Sequence, residues 1–264
     1  MSGYQNHTNY FEYIISAGKD HLKHKFLDSA GGLFWAVFNP LFQIILFSLV
    51  FSNIFMPEKT GLNSFDAPYV VYLCIALVPW LIFSESVYES TNAIMDNGYY
   101  LKKMPLPTWI FVAKCNLAFF IYSCIGWICV LVFSFIMGVQ PTLWWLISPF
   151  ILLLFQLLAF GITLITSVLN VFIKDTSHGT ALLLQLIFWS MPLVYYVNIV
   201  PLILRTIIDY HPVYIYLNAL RSLIIKGECP SPLLLLACVV IPFVLIWIGI
   251  SLQKHMEKDV RDII

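Results

Sequence analysis

Apolar runs dominate the chain, and short polar segments separate them. A helix needs about 20 mostly apolar residues, at 1.5 Å rise each, to cross about 30 Å of hydrocarbon. Spans of that kind are expected at about 33–56, 68–88, 110–137, 143–173, 181–200 and 233–252. The first is free of charge between Asp28 and Glu58; the second carries Glu85 near one end and Pro79, expected to break it. From Cys115 to Ile173 no charged residue occurs, too long a run for one helix, and Gly138-Val139-Gln140-Pro141-Thr142 is the turn that divides it. Backbone facing lipid must satisfy its own polar groups, so helices rather than strands are expected.

Three segments between the spans carry further pattern. Within 10–28, Phe11, Ile15, Gly18, Leu22 and Phe26 recur at helical spacing, with Lys19, Lys23 and Lys25 elsewhere. That pattern predicts an amphipathic helix lying along the inner interface before the chain turns at Gly31-Gly32. Residues 89–109 open with a polar, helix-compatible run (Glu89 to Asp96) and close with Lys102-Lys103-Met104-Pro105-Leu106-Pro107. This reads either as a short polar helix that docks a cytosolic partner or as a solvated loop. Residues 201–230 hold Leu202-Ile203-Leu204, Ile207-Ile208 and Tyr214 to Ile225, which are too short or interrupted to span. Short helices at or re-entering the outer interface are expected there.

Composition agrees with a lipid environment. Of the 264 residues 60% are hydrophobic and 11% charged, and mean hydropathy is +0.86, whereas a soluble domain carries about 25% charged residues. Formal net charge is zero, so no global charge points to nucleic acid. Placement matters more than the sum. With the N-terminus inside, the inner segments hold Lys19, Lys23, Lys25, Lys102, Lys103, Lys114, Lys174, Lys254, Lys258 and Arg261, and the outer ones only Lys59, Arg205, Arg221 and Lys226. Ten against four is a positive-inside bias that puts both termini in the cytoplasm. The polar start, Met1 to Asn9, is not expected to be a cleavable signal, so the first span should direct insertion.

Catalytic signatures do not emerge. There is no GxxxxGK[ST], HExxH or GxSxG; the six cysteines form no CxxC pair, and the six histidines are scattered. No catalytic residue, metal site or bound cofactor is expected. Few ionisable groups fall inside the spans, which argues against an ion-coupled carrier. Aromatic side chains, 16% of the chain, suit interfacial belts and lipid packing, or a pathway for a bulky amphipathic molecule.

A sequence of short motifs then narrows the reading. Gly32-x-x-Trp35 with Asn39-Pro40 opens span one, Lys103-Met104-Pro105-Leu106-Pro107 precedes span three, and Leu169-Asn170 with Lys174-Asp175 closes span four. Met191-Pro192-Leu193-Val194-Tyr195 followed by Pro201 belongs to span five, and Tyr210-His211-Pro212-Val213 with Arg221 to the outer segment. In this order the motifs resemble those of permease subunits of type 2 ABC exporters for lipid-linked polysaccharides: O-antigen, capsule or teichoic acid. The resemblance covers nearly the whole chain, with departures at Leu106 for Phe, Lys174 for Arg and His211 for Asn.

The resemblance implies an all-α polytopic membrane protein with six transmembrane helices, the interfacial helix, and short outer gate helices between spans five and six. It also implies a homodimer in the bacterial cytoplasmic membrane, paired with two copies of a cytosolic ABC ATPase that use ATP and Mg, with a polyprenyl-linked glycan as substrate. Glu89, Asn92, Asp96 and Asn97 would couple to the ATPase, and Pro201, Tyr214 and Arg221 would belong to the outer gate. Asn39 and Gln43, one turn apart, either hydrogen-bond between helices or line the pathway; Tyr195 and Tyr196 are pathway or packing residues. Lys174-Asp175 reads as structural, the aspartate starting the next helical turn. The alternatives are a type 2 ABC permease for a drug or small lipid, and an integral-membrane enzyme acting on lipid-linked sugars.

Overall fold

The computed structural model describes residues 7–27, 33–52, 68–104, 106–195, 197 and 200–264, and among them every regular element is helical. In chain order these are α1 (His7–Leu27), α2 (Leu33–Ser52), α3 (Tyr69–Asp96), α4 (Gly98–Lys103), α5 (Trp109–Ile136), α6 (Ser148–Phe172), α7 (Thr176–Ser190), α8 (Leu202–Asp209), α9 (Tyr214–Arg221) and α10 (Pro232–Ile263). A 3-10 turn, Leu143–Leu146, precedes α6, and a π-helical turn, Ser222–Lys226, continues α9.

Local chemistry sets the ends. After α5 the chain reverses at Gly138, whose φ of 92° is a conformation that L side chains rarely adopt. Pro149 sits in the first turn of α6 and Pro232 in that of α10, where a missing N–H costs nothing; Ser231 caps α10 by accepting from the Leu234 N–H at 3.4 Å. Gly227, at φ 62°, ends the π turn with its Cα facing the Thr142 methyl.

Helix α3 is the axis of the bundle. It packs against α5, α6, α7, α2 and α9, and every residue from Val71 to Trp80 is buried. Phe83 stacks on Phe155 of α6 at 4.2 Å, and Phe155 continues to Tyr216 of α9 at 5.3 Å. The closest helix pair is α6 with α10. A Cβ built on Gly249 would stand 2.5 Å from the Leu164 Cβ, and one on Gly161 would stand 2.7 Å from the Leu245 Cβ. Small residues let two backbones approach this closely, the usual device for joining helices in lipid.

Among the described residues four helical segments are long and apolar enough to cross a membrane: α3, α5, the 3-10 turn with α6 (Leu143–Phe172), and α10. The sequence expectation differs in three places. Pro79 does not break the second run; α3 continues through it for 28 residues, held by helices packed around that stretch. The polar run Glu89 to Asp96 is the last two turns of α3 rather than a separate helix, and only Asn97 divides it from α4. The expected span 181–200 is helical only to Ser190. Pro192 has no N–H to donate and pushes Met191 into an extended conformation (φ −100°, ψ 148°). The remaining α7 is 15 residues, about 22 Å long.

Candidate functional site

Two polar regions sit at opposite ends of α3, with a buried polar seam between them. At the α3 C-terminal end, α1 crosses α5 where Gly18 allows close approach: a Cβ there would lie 3.1 Å from the Lys114 carbonyl and from Leu117 Cδ2. This contact brings the charged face of α1 onto α3. Lys25 Nζ donates to Glu85 Oε1 at 2.8 Å and Glu89 Oε1 at 2.5 Å, and His21 Nε2 stands 3.6 Å from both Glu89 Oε2 and the Cys115 sulfur. Donation to the sulfur, then to the Glu89 carboxylate, outweighs burial and raises the His21 pKa to about 9. Burial alone would lower the Lys25 pKa, but Glu85 and Glu89 turn the shift upward. At neutral pH two cations therefore clasp two carboxylates.

Around the clasp opens a cavity of about 560 Å³ lined by Glu89, Asn92, Asp96, Asn97, Lys114 and His21, among others. All four residues assigned to coupling line it, but their surroundings differ. Glu89 is held by α1. Asn92 accepts from Asn170 Nδ2 at 3.0 Å, tying α3 to α6, and Asn97 accepts from Lys114 at 2.6 Å while donating to the Ala93 carbonyl at 2.7 Å. Asp96 is exposed and has no hydrogen bond or ion pair among the described residues. Asn170 also receives the Ser177 N–H at 3.1 Å, so it serves the start of α7. Asp175 occupies the cap position that starts α7, as expected, though its side chain makes no cap bond. Arg261, near the end of α10, donates to the Leu101 and Leu106 carbonyls at 2.9 and 2.6 Å and pins α4 to the bundle.

His21, Glu89 and Cys115 place three potential metal-ligand atoms within 4.8 Å of one another. The donor set fits a metal poorly. Glu89 is already engaged by the Lys25 ammonium, and an ion would have to displace that cation and deprotonate His21.

Midway along the bundle, Asn116 donates to Ser90 Oγ (3.1 Å), Thr163 Oγ1 (3.0 Å) and the Val112 carbonyl (3.1 Å), and accepts from Gln156 (3.1 Å) and Ser86 (3.4 Å). Gln156 also donates to Ser86 at 2.6 Å, so α3, α5 and α6 share one network. Gln253 does the same for α10, donating to the Leu164 carbonyl at 3.0 Å and accepting from Thr108 at 2.8 Å. The sequence reading passed over these residues. Their signal is polar side chains at helical spacing in apolar runs, such as Ser86 and Ser90 or Gln156 and Thr163.

At the α3 N-terminal end, Arg221 of α9 is 4% exposed. It donates to the Tyr72 carbonyl (3.2 Å), the Tyr72 hydroxyl (2.9 Å), the Pro192 carbonyl (3.0 Å) and the Leu193 carbonyl (3.0 Å). The Tyr69 hydroxyl bonds the next carbonyl, Val194. Irregular backbone is tolerated at membrane depth only where protein satisfies it. Arg221 and Tyr69 do so for the break after α7.

The other assigned residues are less convergent. Tyr214 is buried beside Arg221, and Pro201 is the exposed residue before α8. Tyr195 is half-buried in the break, and Tyr196 lies outside the described residues. The Asn39 side chain bonds the Tyr122 hydroxyl on α5, which favours the helix-joining role, and Gln43 is half-buried one turn on. A groove the sequence did not reveal runs between α3 and α7, about 390 Å³, lined by Trp80, Tyr88 and Phe188 with Glu85 and Gln185.

Comparison with known proteins gives the family. Residues 14–225 match the family model described as ABC-2 type transporter, and the chain belongs to that family. Over 222 residues, 82% of each chain, it is 25% and 27% identical to two O-antigen export system permease proteins RfbA of Klebsiella pneumoniae. It is 23% identical to the Myxococcus xanthus protein of that name over 251 residues, 93% of each chain.

Proposed function

We propose that this chain is the membrane-spanning permease of an ATP-driven exporter that moves a lipid-linked polysaccharide of the O-antigen type across the cytoplasmic membrane. The observation that carries the reading is similarity, over 82% of both chains, to proteins named as O-antigen export permeases. The working unit is a homodimer with two copies of a cytosolic ABC ATPase, which bind the ATP and Mg that this chain does not. In this arrangement α2, α3, α5, α6, α7 and α10 are the six spans. Span five crosses as α7 plus the irregular segment that Arg221 satisfies. The ten-to-four distribution of Lys and Arg supports cytoplasmic termini.

Each end of α3 then has a task. The cavity beside Asp96 faces the cytoplasm and receives the ATPase, with α1 stiffening its wall through His21. At the other end α8 and α9 form the outer gate. The groove between α3 and α7 contributes aromatic faces to the pathway, because rings stack on sugars without holding them tightly. Co-purification with the cognate ATPase tests the reading: ATP hydrolysis should require the ATPase, and deleting this gene's product should leave glycan inside. A chain that associates with no ABC ATPase would refute it.

A further inference from the structure

The cavity at the α3 N-terminal end holds more positive charge than the fold neutralises. It encloses about 400 Å³, and its polar lining includes Arg205, Asp209, Tyr214, Asn218, Arg221 and Lys226. Three cations thus face one carboxylate. Arg221 is satisfied by carbonyl and hydroxyl oxygens and meets no carboxylate within ion-pair distance among the described residues. Arg205 and Lys226 make no ion pair or side-chain hydrogen bond there, and Arg205 and Asp209, one turn apart, stay beyond 4.0 Å. Val197, Ile225 and Leu234 form an apolar margin to the same cavity.

We propose that this cavity binds the phosphate or diphosphate ester at the head of an amphiphile. A surplus of two positive charges suits a glycan-bearing diphosphate, whose two phosphates are each singly ionised, and exceeds the single charge of a phosphodiester headgroup. The Arg205 guanidinium fork and the Lys226 ammonium are the donors open to phosphate oxygens through charge-assisted hydrogen bonds, while Arg221 adds its charge from behind. The apolar margin suits the chain attached to such a head. Two sources share this chemistry: a polyprenyl diphosphate carrier and an ordinary phospholipid. The site's position in the outer leaflet rests on the proposed orientation, whereas the binding itself does not.

The test titrates the full chain, in a non-ionic detergent, with inorganic pyrophosphate by calorimetry. Saturable binding is expected. R205Q/K226Q should weaken it about tenfold or more with unchanged melting temperature, and D209N should tighten it several-fold. No saturable binding, or equal binding by the double variant, overturns the site. Competition then separates the sources: displacement by farnesyl diphosphate points to the carrier, displacement by phosphatidylglycerol to the bilayer, and displacement by neither overturns the lipid-head assignment. The titration needs no ATPase and no transport, so its failure is distinct from failure of the exporter reading.

Discussion

Arg221 lies with its guanidinium carbon 3.6 Å above the centre of the Tyr72 ring while bonding both that residue's hydroxyl and its carbonyl. The same fork reaches the Pro192 and Leu193 carbonyls, so one side chain joins α9, α3 and the broken end of α7. A planar cation with several fixed donors can do this; an ammonium cannot. An arginine expected to serve an outer gate is, in the fold, a strut that joins three helices.

Arg221→Ala takes away the donor that satisfies the Pro192 and Leu193 carbonyls in a buried, irregular stretch of backbone. At roughly 1–3 kcal/mol for each unsatisfied group, with partial relaxation, a loss of about 3 kcal/mol or more is expected. Arg221→Lys should recover only part of it. Thermal melts of the detergent-solubilised chain decide the matter: a lysine variant as stable as wild type would show that the fork geometry is unimportant.

Asn116→Ala removes the hub shared by Ser90, Thr163 and Gln156. Hydrogen bonds between helices in membranes average about 0.6 kcal/mol each, so a total of about 1–2 kcal/mol is expected. Because Gln156 loses a partner in the same step, Asn116→Ala and Gln156→Ala should be non-additive by about 0.5 kcal/mol or more. Strict additivity in a double-mutant cycle would dissolve the network into separate bonds.

How far could these features be read beforehand? Long apolar runs made α5, α6 and α10 visible, because span length is one-dimensional and needs no partner. The Gly138 reversal was legible for a similar reason, since left-handed backbone favours one residue type. Pro79 misled because its penalty is a local one, and tertiary packing that buries every residue from Val71 to Trp80 holds the helix together through it. Met191 and Pro192 were marked by a motif, yet the break they impose became affordable only through Arg221, almost thirty residues away. Asn116 and Asn170 show the same limit. Their partners lie on other helices, at sequence separations that no periodicity encodes.

Gly249→Ala should destabilise the α6–α10 pair by about 1–3 kcal/mol, the cost of overpacking, since the new methyl would start 2.5 Å from the Leu164 Cβ. Gly179→Ala is the control. Nothing lies within 4 Å of its Cβ position in α7, and helix propensity alone predicts a gain of about 0.5–1 kcal/mol. Opposite signs in the two melts are the expected result; destabilisation by both would point to a general intolerance of substitution.

His21 sets a pH dependence for the docking of α1. Its pKa in the folded chain is raised from 6.5 to about 9, so its contribution is full below pH 6.5 and is lost as pH rises through about 9. The difference in melting temperature between wild type and His21→Gln should therefore shrink steadily from pH 6 to pH 10. Lys25 keeps α1 attached throughout, since its own pKa is also raised. A difference that grows with pH would mean that His21 is docked in its neutral form.

Glu89 and Asp96 share one cavity but predict different failures. Glu89→Lys would put a third cation beside Lys25 and His21, so the first loss should be the docking of α1. With the site partly open to water, that is a cost of about 1 kcal/mol, visible as lower stability before any effect on coupling. Asp96 is exposed and makes no hydrogen bond or ion pair among the described residues, and its attraction to His21 and Lys114 is opposed by repulsion from Glu89, so Asp96→Lys should change the melting temperature little. If the cavity receives the ATPase, Asp96→Lys should lower glycan exported per ATP hydrolysed by about tenfold, as expected for a lost interface ion pair worth about 1.4 kcal/mol. The measurement is export and hydrolysis in the same proteoliposomes, with melts run in parallel. Intact export by Asp96→Lys would move the docking surface away from the end of α3 and leave the cavity with a purely structural part.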